Sequence, residues 1–298
     1  MSPCSRGGAG YDPAVSADGG PATDVLGPVE IRGEGLGKAF DGHVVLRRVS
    51  LEVRRGEIVA LVGASGSGKT VLLHLLTGLH PPTEGRVLVA HHGRRGAPLV
   101  DLETLDEEER DAVRLSWAVV FQKNALFSAT VYENCALWLR EHTQLPARAI
   151  RERVCESLQA VSLDVDTVIG KDRDELSGGM AKRVAVARAI AQDPLLVFYD
   201  EPTTGLDPVT SAHLHELIWN THFRPRRDGV RRTTVLVTHD KDLLRRLHPR
   251  VVMLHGGGVC FDGTYAEFTA STLGPAREYL LAMPVLHAGP SRDAEGTP

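Results

Sequence analysis

The chain has 298 residues, 42% of them apolar, and its 34 basic and 38 acidic side chains leave a net charge of −4. That length and apolar share can bury a sizeable core, while a charge so near balance excludes a generic binder of phosphate backbones. No apolar run nears the roughly 18 residues a membrane-spanning helix needs, and the scattered Cys4, Cys135, Cys155 and Cys260 form no CxxC pair, which excludes a disulfide framework and a zinc site and suits a reducing cytoplasm.

Residues 1–27 lack the charged start and apolar core of a secretory signal and read as a disordered tail rich in Gly, Pro, Ala and Ser. From Glu30 onward short β-rich runs alternate with helical patterns, the mark of a layered α/β domain. Ile58 to Val62 is predicted as a buried strand, and Val71, Leu72, Leu73, Leu75, Leu76 and Leu79 define a helix that Pro81-Pro82 stops. Between them, Gly63-Ala64-Ser65-Gly66-Ser67-Gly68-Lys69-Thr70 fits G-x-x-x-x-G-K-[ST] in full. Glycines let backbone N–H groups converge on phosphate oxygens, and the helix start adds its positive dipole end. Lys69 is placed to neutralise the β- and γ-phosphates of ATP and the Thr70 hydroxyl to ligate Mg2+. The alternative is a plain glycine-rich turn; flanking elements of both required types favour the phosphate loop.

Val87 to Ala90 and Trp117 to Phe121 are the next predicted strands, with an acidic helix through Asp106 to Arg110 between them. Thr130 to Val161 is helical throughout, with Pro146 as a first-turn residue of a second helix, so a helical subdomain is expected at about 124–180. Leu176-Ser177-Gly178-Gly179-Met180 then opens another helix, where serine and two glycines make either an ordinary cap or an anion cradle. Leu195 to Tyr199 is an apolar strand ending in Asp200-Glu201. Alone, two acids there suggest a turn or cap. Paired with a phosphate loop, Asp200 suits the magnesium hydration shell, and Glu201 is placed to orient or deprotonate the attacking water. Arg224-Pro225-Arg226-Arg227 with Arg231-Arg232 reads as a solvated loop, with an anionic-lipid or nucleic-acid contact as the alternative. Strands follow at Thr233 to Val237, leading into Thr238-His239-Asp240, and at Val251 to Leu254; residues 274–298 are a tail.

The phosphate loop, the Ser177-Gly178-Gly179 helix start before the acidic strand, and Thr238-His239-Asp240 together resemble the ABC ATPase family, over Val29 to Glu267. The resemblance implies an α/β P-loop NTPase fold at 28–273, with a RecA-like core, an antiparallel β subdomain and an inserted helical subdomain. It implies ATP sandwiched in a homodimer, where Ser177, Gly178 and Gly179 reach the γ-phosphate held by a second copy. It assigns Gln122 to magnesium and to reporting to a membrane partner, His239 to the γ-phosphate, Asp207 to the loop linking the two sites, and Phe40 to stacking on adenine. For His239, Asp207 and Phe40 the bland readings are a helix cap, a turn and the core.

Met180 in place of the usual glutamine, and Phe121 to Asn134 leading to Leu139-Arg140-Glu141-His142, further resemble ATPases of maintenance-of-lipid-asymmetry systems and their relatives serving MCE-protein transporters. Lys123-Asn124 and Ser128-Ala129 depart from that pattern. This resemblance implies an ATPase peripheral on the inner face of the plasma membrane, powering phospholipid or other hydrophobic cargo. Its partners would be integral-membrane permease subunits, an MCE-domain lipid-binding protein and a small regulatory subunit, with no nucleic acid. An importer of small solutes such as amino acids or ions is the other reading. No N/TKxD element supports a GTPase, and a small-molecule kinase would lack the signature serine and glycines.

Overall fold

The computed structural model describes residues 27–123 and 125–283; residues 1–26 of the tail expected at 1–27, residues 284–298 of the tail expected at 274–298, and Asn124 lie outside them. In chain order the elements are β1 (Val29–Phe40), β2 (His43–Arg54), β3 (Ile58–Val62), α1 (Lys69–Leu76), β4 (Glu84–Ala90), β5 (Leu99–Asp101), α2 (Glu107–Arg114) and β6 (Trp117–Val120). A helical stretch follows: α3 (Val131–His142), α4 (Ala147–Ala160), α5 (Val165–Val168), a 3₁₀ turn at Arg173–Glu175, and α6 (Gly178–Ala191). The chain then alternates again through β7 (Leu196–Asp200), α7 (Pro208–Phe223), β8 (Thr233–Val237), α8 (Lys241–Leu247), β9 (Arg250–His255), β10 (Gly258–Thr264), α9 (Tyr265–Thr269) and α10 (Gly274–Ala282).

Two sheets result. An antiparallel one runs β2-β1-β4-β5, and a six-stranded one runs β10-β9-β3-β8-β7-β6, parallel except for its β10 edge. Side chains alternate faces along a strand, and here each face has its own core. Val59, Leu61, Phe198, Val235 and Val237 pack with Leu72, Leu73, Leu75 and Leu76 of α1 and with Ile31, Val53 and Val89 of the antiparallel sheet. Ala60, Val62, Val197, Tyr199 and Leu236 face the other way, into the cluster shared with Cys135 of α3, Val154 of α4 and Ala187 of α6. Buried on both sides, these five-residue strands are dominated by apolar side chains with no polar alternation, Thr233-Thr234 opening β8 and Asp200 ending β7, as parallel strands require.

Local chemistry explains where the elements stop. The β1–β2 hairpin turns at Asp41 (φ 48°) and Gly42 (φ 81°), an Asp-Gly pair suited to two consecutive positive φ values. Helix α1 ends earlier than Pro81-Pro82 would require. Gly78 takes φ 65°, its N–H reaching Leu75 O at 3.0 Å while Leu79 N–H reaches His74 O at 2.9 Å, a left-handed glycine cap that satisfies the last carbonyls. Asp106 and Thr130 cap α2 and α3 by accepting from Glu109 N (2.9 Å) and Glu133 N (3.2 Å). Pro146 is the cap residue of α4 (ψ 152°) and not a member of its first turn.

Two further expectations change. The chain from Gly274 begins as helix α10, whose Ala276 is buried. In the arginine-rich segment, Arg224 and Arg227 are exposed as a solvated loop would be, but Arg232 is 8% exposed and ion-paired to Asp193.

Candidate functional site

The parallel strands β3, β7 and β8 all point their C-terminal ends at one edge, and the loops that leave those ends build the site. Gly63 leaves β3 at φ 146°, where an added Cβ would stand 2.4 Å from the Leu254 carbonyl, so the close approach of β9 admits no side chain there. Gly68 caps α1 at φ 97°, with room denied by Leu46 Cδ2 at 2.6 Å; the start of β2 thus lies on the loop. Lys69 is 7% exposed and folds its Nζ onto the carbonyls of Gly63 (2.9 Å) and Ala64 (3.1 Å). Burial pushes its ammonium below the usual lysine value, against the raising pull of Glu201 and Asp200. The Ser67 hydroxyl is buried with no hydrogen-bond partner among the described residues. A phosphate oxygen would satisfy both groups.

Asp200 ends β7 at 4% exposure and accepts from the Thr70 hydroxyl at 3.0 Å. Burial raises its carboxyl above the ordinary range, more than Thr70, His74 and Lys69 lower it. A buried carboxylate so short of positive charge, next to a hydroxyl oxygen, is an oxygen donor set suited to a hard divalent cation. Among the described residues no group of three or more His, Cys, Asp or Glu gathers for a metal, so the phosphates of a nucleotide would have to complete any such coordination.

Glu201 takes φ 45°, a left-handed conformation rare for a side chain with Cβ, held by its N–H on Val237 O at 2.9 Å. One of its oxygens, Oε2, collects three neighbours: the Thr204 hydroxyl donates at 2.8 Å, the Gln122 amide donates at 3.3 Å, and His239 Nδ1 stands 3.6 Å away. Gln122 comes from the loop after β6 and His239 from the loop after β8, so three strand ends converge on one carboxylate. Lys182 of α6 donates to the carbonyls of Pro202 (3.1 Å) and Thr204, clamping the loop that follows.

The remaining expected residues form two neighbouring groups. Ser177 caps α6 by accepting from Met180 N at 3.3 Å, and Gly179 faces Thr210, whose Cγ2 would lie 3.0 Å from an added Cβ. Asp207 caps α7, accepting from Thr210 N (3.0 Å) and Thr210 Oγ1 (2.6 Å), which hold its carboxyl below the usual range. Ser177, Gly178, Gly179 and Asp207 thus sit together at the adjoining starts of α6 and α7. Phe40 is 40% exposed at the end of β1, next to the hairpin turn, edge-on to His80 (5.9 Å) and 5.0 Å from the Lys38 ammonium.

Three features of the site are not apparent in the sequence. His215 of α7 meets Asp240 at 2.6 Å, and Asp240 also accepts from Asp242 N (3.0 Å) and Leu243 N (3.1 Å), which anchors the turn carrying His239. Thr204 and Lys182 hold the Glu201 loop. Tyr279 of α10 lies beside the Gly63 backbone, its phenol raised by burial. The Thr-His-Asp run could have pointed to Asp240 as a cap; nothing local points to its histidine partner.

Comparison with known proteins agrees with this geometry. The family model described as ABC transporter matches residues 46–204. The chain is 35% identical over 247 residues to the chloroplastic protein trigalactosyldiacylglycerol 3 of Arabidopsis thaliana, covering 79% of this chain and 68% of that one. It is 34% identical to the intermembrane phospholipid transport system ATP-binding protein MlaF of Haemophilus influenzae (77% and 81% covered). It is 36% identical to the methionine import ATP-binding protein MetN of Haemophilus ducreyi (79% and 65% covered), so the chain spans about two thirds of the length of some relatives. Among solved structures, a dimeric ATP-binding cassette in a post-hydrolysis state with ADP and Pi matches at TM-score 0.68 and 29% identity, over 78% of this chain and 98% of that one. The chain belongs to the ABC transporter family, in which it is an ATPase.

Proposed function

We propose that the chain is the ATP-hydrolysing subunit of a multi-subunit transporter that moves phospholipid or other hydrophobic cargo together with an MCE-type permease. The observation that carries the hydrolytic part is the convergence of Gln122, Thr204 and His239 on Glu201 Oε2. Residues Gly63 to Thr70 cradle the phosphates of ATP, Lys69 leaving its carbonyls for the β- and γ-oxygens, and Phe40 covers the adenine. Thr70, Asp200 and Gln122 hold Mg2+, which supplies charge neutralisation on the phosphates. Glu201 accepts a proton from water as its oxygen attacks the γ-phosphorus and the bond to ADP breaks; His239 orients the transferred group. Ser177, Gly178 and Gly179 complete the site of a second copy, with Asp207 beside them linking the two sites.

The permease side rests on the segment after Gln122. Asn134 is 2% exposed and ties it down, donating to the carbonyls of Phe127 (3.2 Å), Ala129 (3.2 Å) and Thr130 (3.0 Å) and accepting from Phe127 N (2.8 Å). Arg188 and Arg173 hold the carbonyls of Ala125 (2.7 Å) and Leu126 (3.1 Å). The segment borders a groove of about 570 Å³ lined by Leu79, Trp117, Phe121, Phe127, Leu137 and Trp138, an apolar seat for a permease segment. No helix among the described residues is long and apolar enough to cross a membrane, so such a partner would supply the span. The relative named for phospholipid transport supports the cargo class; the relative named for methionine import keeps a small-solute importer as the second reading. Affinity purification of the full chain from its native membranes, with mass spectrometry of what accompanies it, separates the two. An MCE-domain protein with a multispan permease is expected, and a solute-binding protein in its place overturns the lipid reading.

A further inference from the structure

A cleft of about 530 Å³ opens at the opposite edge of the six-stranded sheet, where β7 and β8 begin. It lies between α4 of the helical insertion and the segment that joins α7 to β8. Since the phosphate loop follows the far end of the parallel β3, this cleft is no part of the nucleotide site.

Its lining is cationic. Arg153, Arg224, Arg227 and Arg232 border it, against two carboxylates, Glu156 and Asp193. Both carboxylates are already committed. Glu156 accepts from Arg227 Nη2 at 2.7 Å. Asp193 accepts from Arg232 through one oxygen and from the Arg227 backbone N–H through the other, at 3.2 Å. Among the described residues, Arg153 and Arg224 make no ion pair. Arg232, 8% exposed, keeps a buried Nε with no hydrogen-bond partner there. Burial, then the neighbouring charge of Arg227, hold Arg153 below the ordinary guanidinium value, against the weaker raising pull of Asp193 and Glu156. Asn220 and Gln159 add neutral polar side chains to the walls.

Two guanidiniums without an ion pair, in a concave cleft where four arginines face two carboxylates, match a ligand that brings several oxyanion oxygens, because each planar fork donates two parallel hydrogen bonds to a phosphate or carboxylate. We infer that this cleft is a second anion site, distinct from the phosphate loop, which takes a soluble small molecule bearing a diphosphate or two neighbouring phosphates between Arg153 and Arg224. The concave shape favours a soluble ligand over a flat membrane surface. A ligand there ties α4 of the insertion to the start of β8 in the core.

Inorganic pyrophosphate is the probe, titrated calorimetrically into the full chain. Two classes of binding are expected, one removed by Lys69→Ala and one that survives it. Arg153→Gln and Arg224→Gln should each weaken the surviving class roughly tenfold, since a charge-assisted pair is lost in each. The double variant should abolish it, and Arg153→Lys, which keeps charge but not the fork, should fall between. Arg148→Gln, on the exposed face of α4 with 90% of its side chain in solvent, should change nothing. The inference is overturned if Lys69→Ala alone removes all pyrophosphate binding, or if the double variant binds as the parent does. It is overturned equally if the arginine variants lose only sedimentation with phosphatidic acid vesicles, which would make the source a lipid headgroup.

Discussion

The two ends of the six-stranded sheet carry buried charge in opposite ways. Where β3, β7 and β8 end, Asp200 is 4% exposed with a single neutral hydroxyl at 3.0 Å, Lys69 has only carbonyls within reach, and Glu201 holds φ 45°. Where β7 and β8 begin, Arg232 is 8% exposed but meets Asp193, Thr221 O (3.1 Å) and Arg224 O (2.9 Å), and His222 shares 3.0 Å with the Thr234 hydroxyl. The same strands therefore present unmatched, strained groups at one end and, at the other, buried groups that are partnered except at the Arg232 Nε. Strain and unpaired charge persist only where the surroundings hold them, and such places belong to function. The matched end is scaffold, apart from the two arginines at the mouth of its cleft.

The largest expected departure from this contrast follows Glu201→Gln. The amide keeps the shape and the φ 45° turn but cannot take a proton, so ATP turnover should fall by about 10² to 10⁴ while nucleotide affinity stays within about twofold. Steady-state hydrolysis together with equilibrium binding of ATP measures both. Normal turnover would remove Glu201 from the role of base and leave the convergence at its Oε2 without a chemical purpose.

How much of this contrast could be read beforehand depended on how local each feature is. The phosphate loop lies within eight consecutive residues between two elements of recognisable period, and Asp200-Glu201 ends a five-residue apolar strand, so both were legible. The hairpin turn at Asp41-Gly42 and the glycine cap at Gly78 are equally local, but they lie beside the more conspicuous Phe40 and Pro81-Pro82. His215 with Asp240, and Tyr279 beside Gly63, join residues that only the parallel strand order brings together. Arg232 is hidden for the same reason: it belongs to a basic run in the sequence, and its carboxylate partner is 39 residues away.

A smaller effect tests whether the functional end costs stability. Burial raises the Asp200 pKa above its ordinary 3.8, so the protonated form favours the folded chain below that value, and the advantage is lost as pH rises through the raised one. At neutral pH the ionised carboxylate is then a net cost. Asp200→Asn, which still offers Thr70 an acceptor, should raise Tm by about 2 to 4 °C in the absence of nucleotide and magnesium, and should abolish hydrolysis. A lowered Tm at pH 7 would show that Asp200 is matched by its neighbours after all.

The smallest effect lies at the matched end, where His222 is 2% exposed on the last turn of α7. Burial first, then the charges of Arg231 and Arg232, push its imidazole down from 6.5 to about 3. The folded chain keeps it neutral, while the unfolded chain protonates it as pH falls through 6.5. Its contribution to stability is therefore complete well above 6.5 and declines as pH falls from there toward 3. Between pH 7 and pH 6 that single group removes about 0.7 kcal/mol, or roughly 2 °C in Tm. His222→Gln retains a polar partner for Thr234 and does not titrate, so its loss of Tm between those pH values should be smaller than the parent's by that amount. Comparing the two chains by thermal denaturation cancels the other histidines. Parallel pH profiles would mean that His222 becomes charged in the folded state, and that this end of the sheet tolerates an added cation beside its arginines.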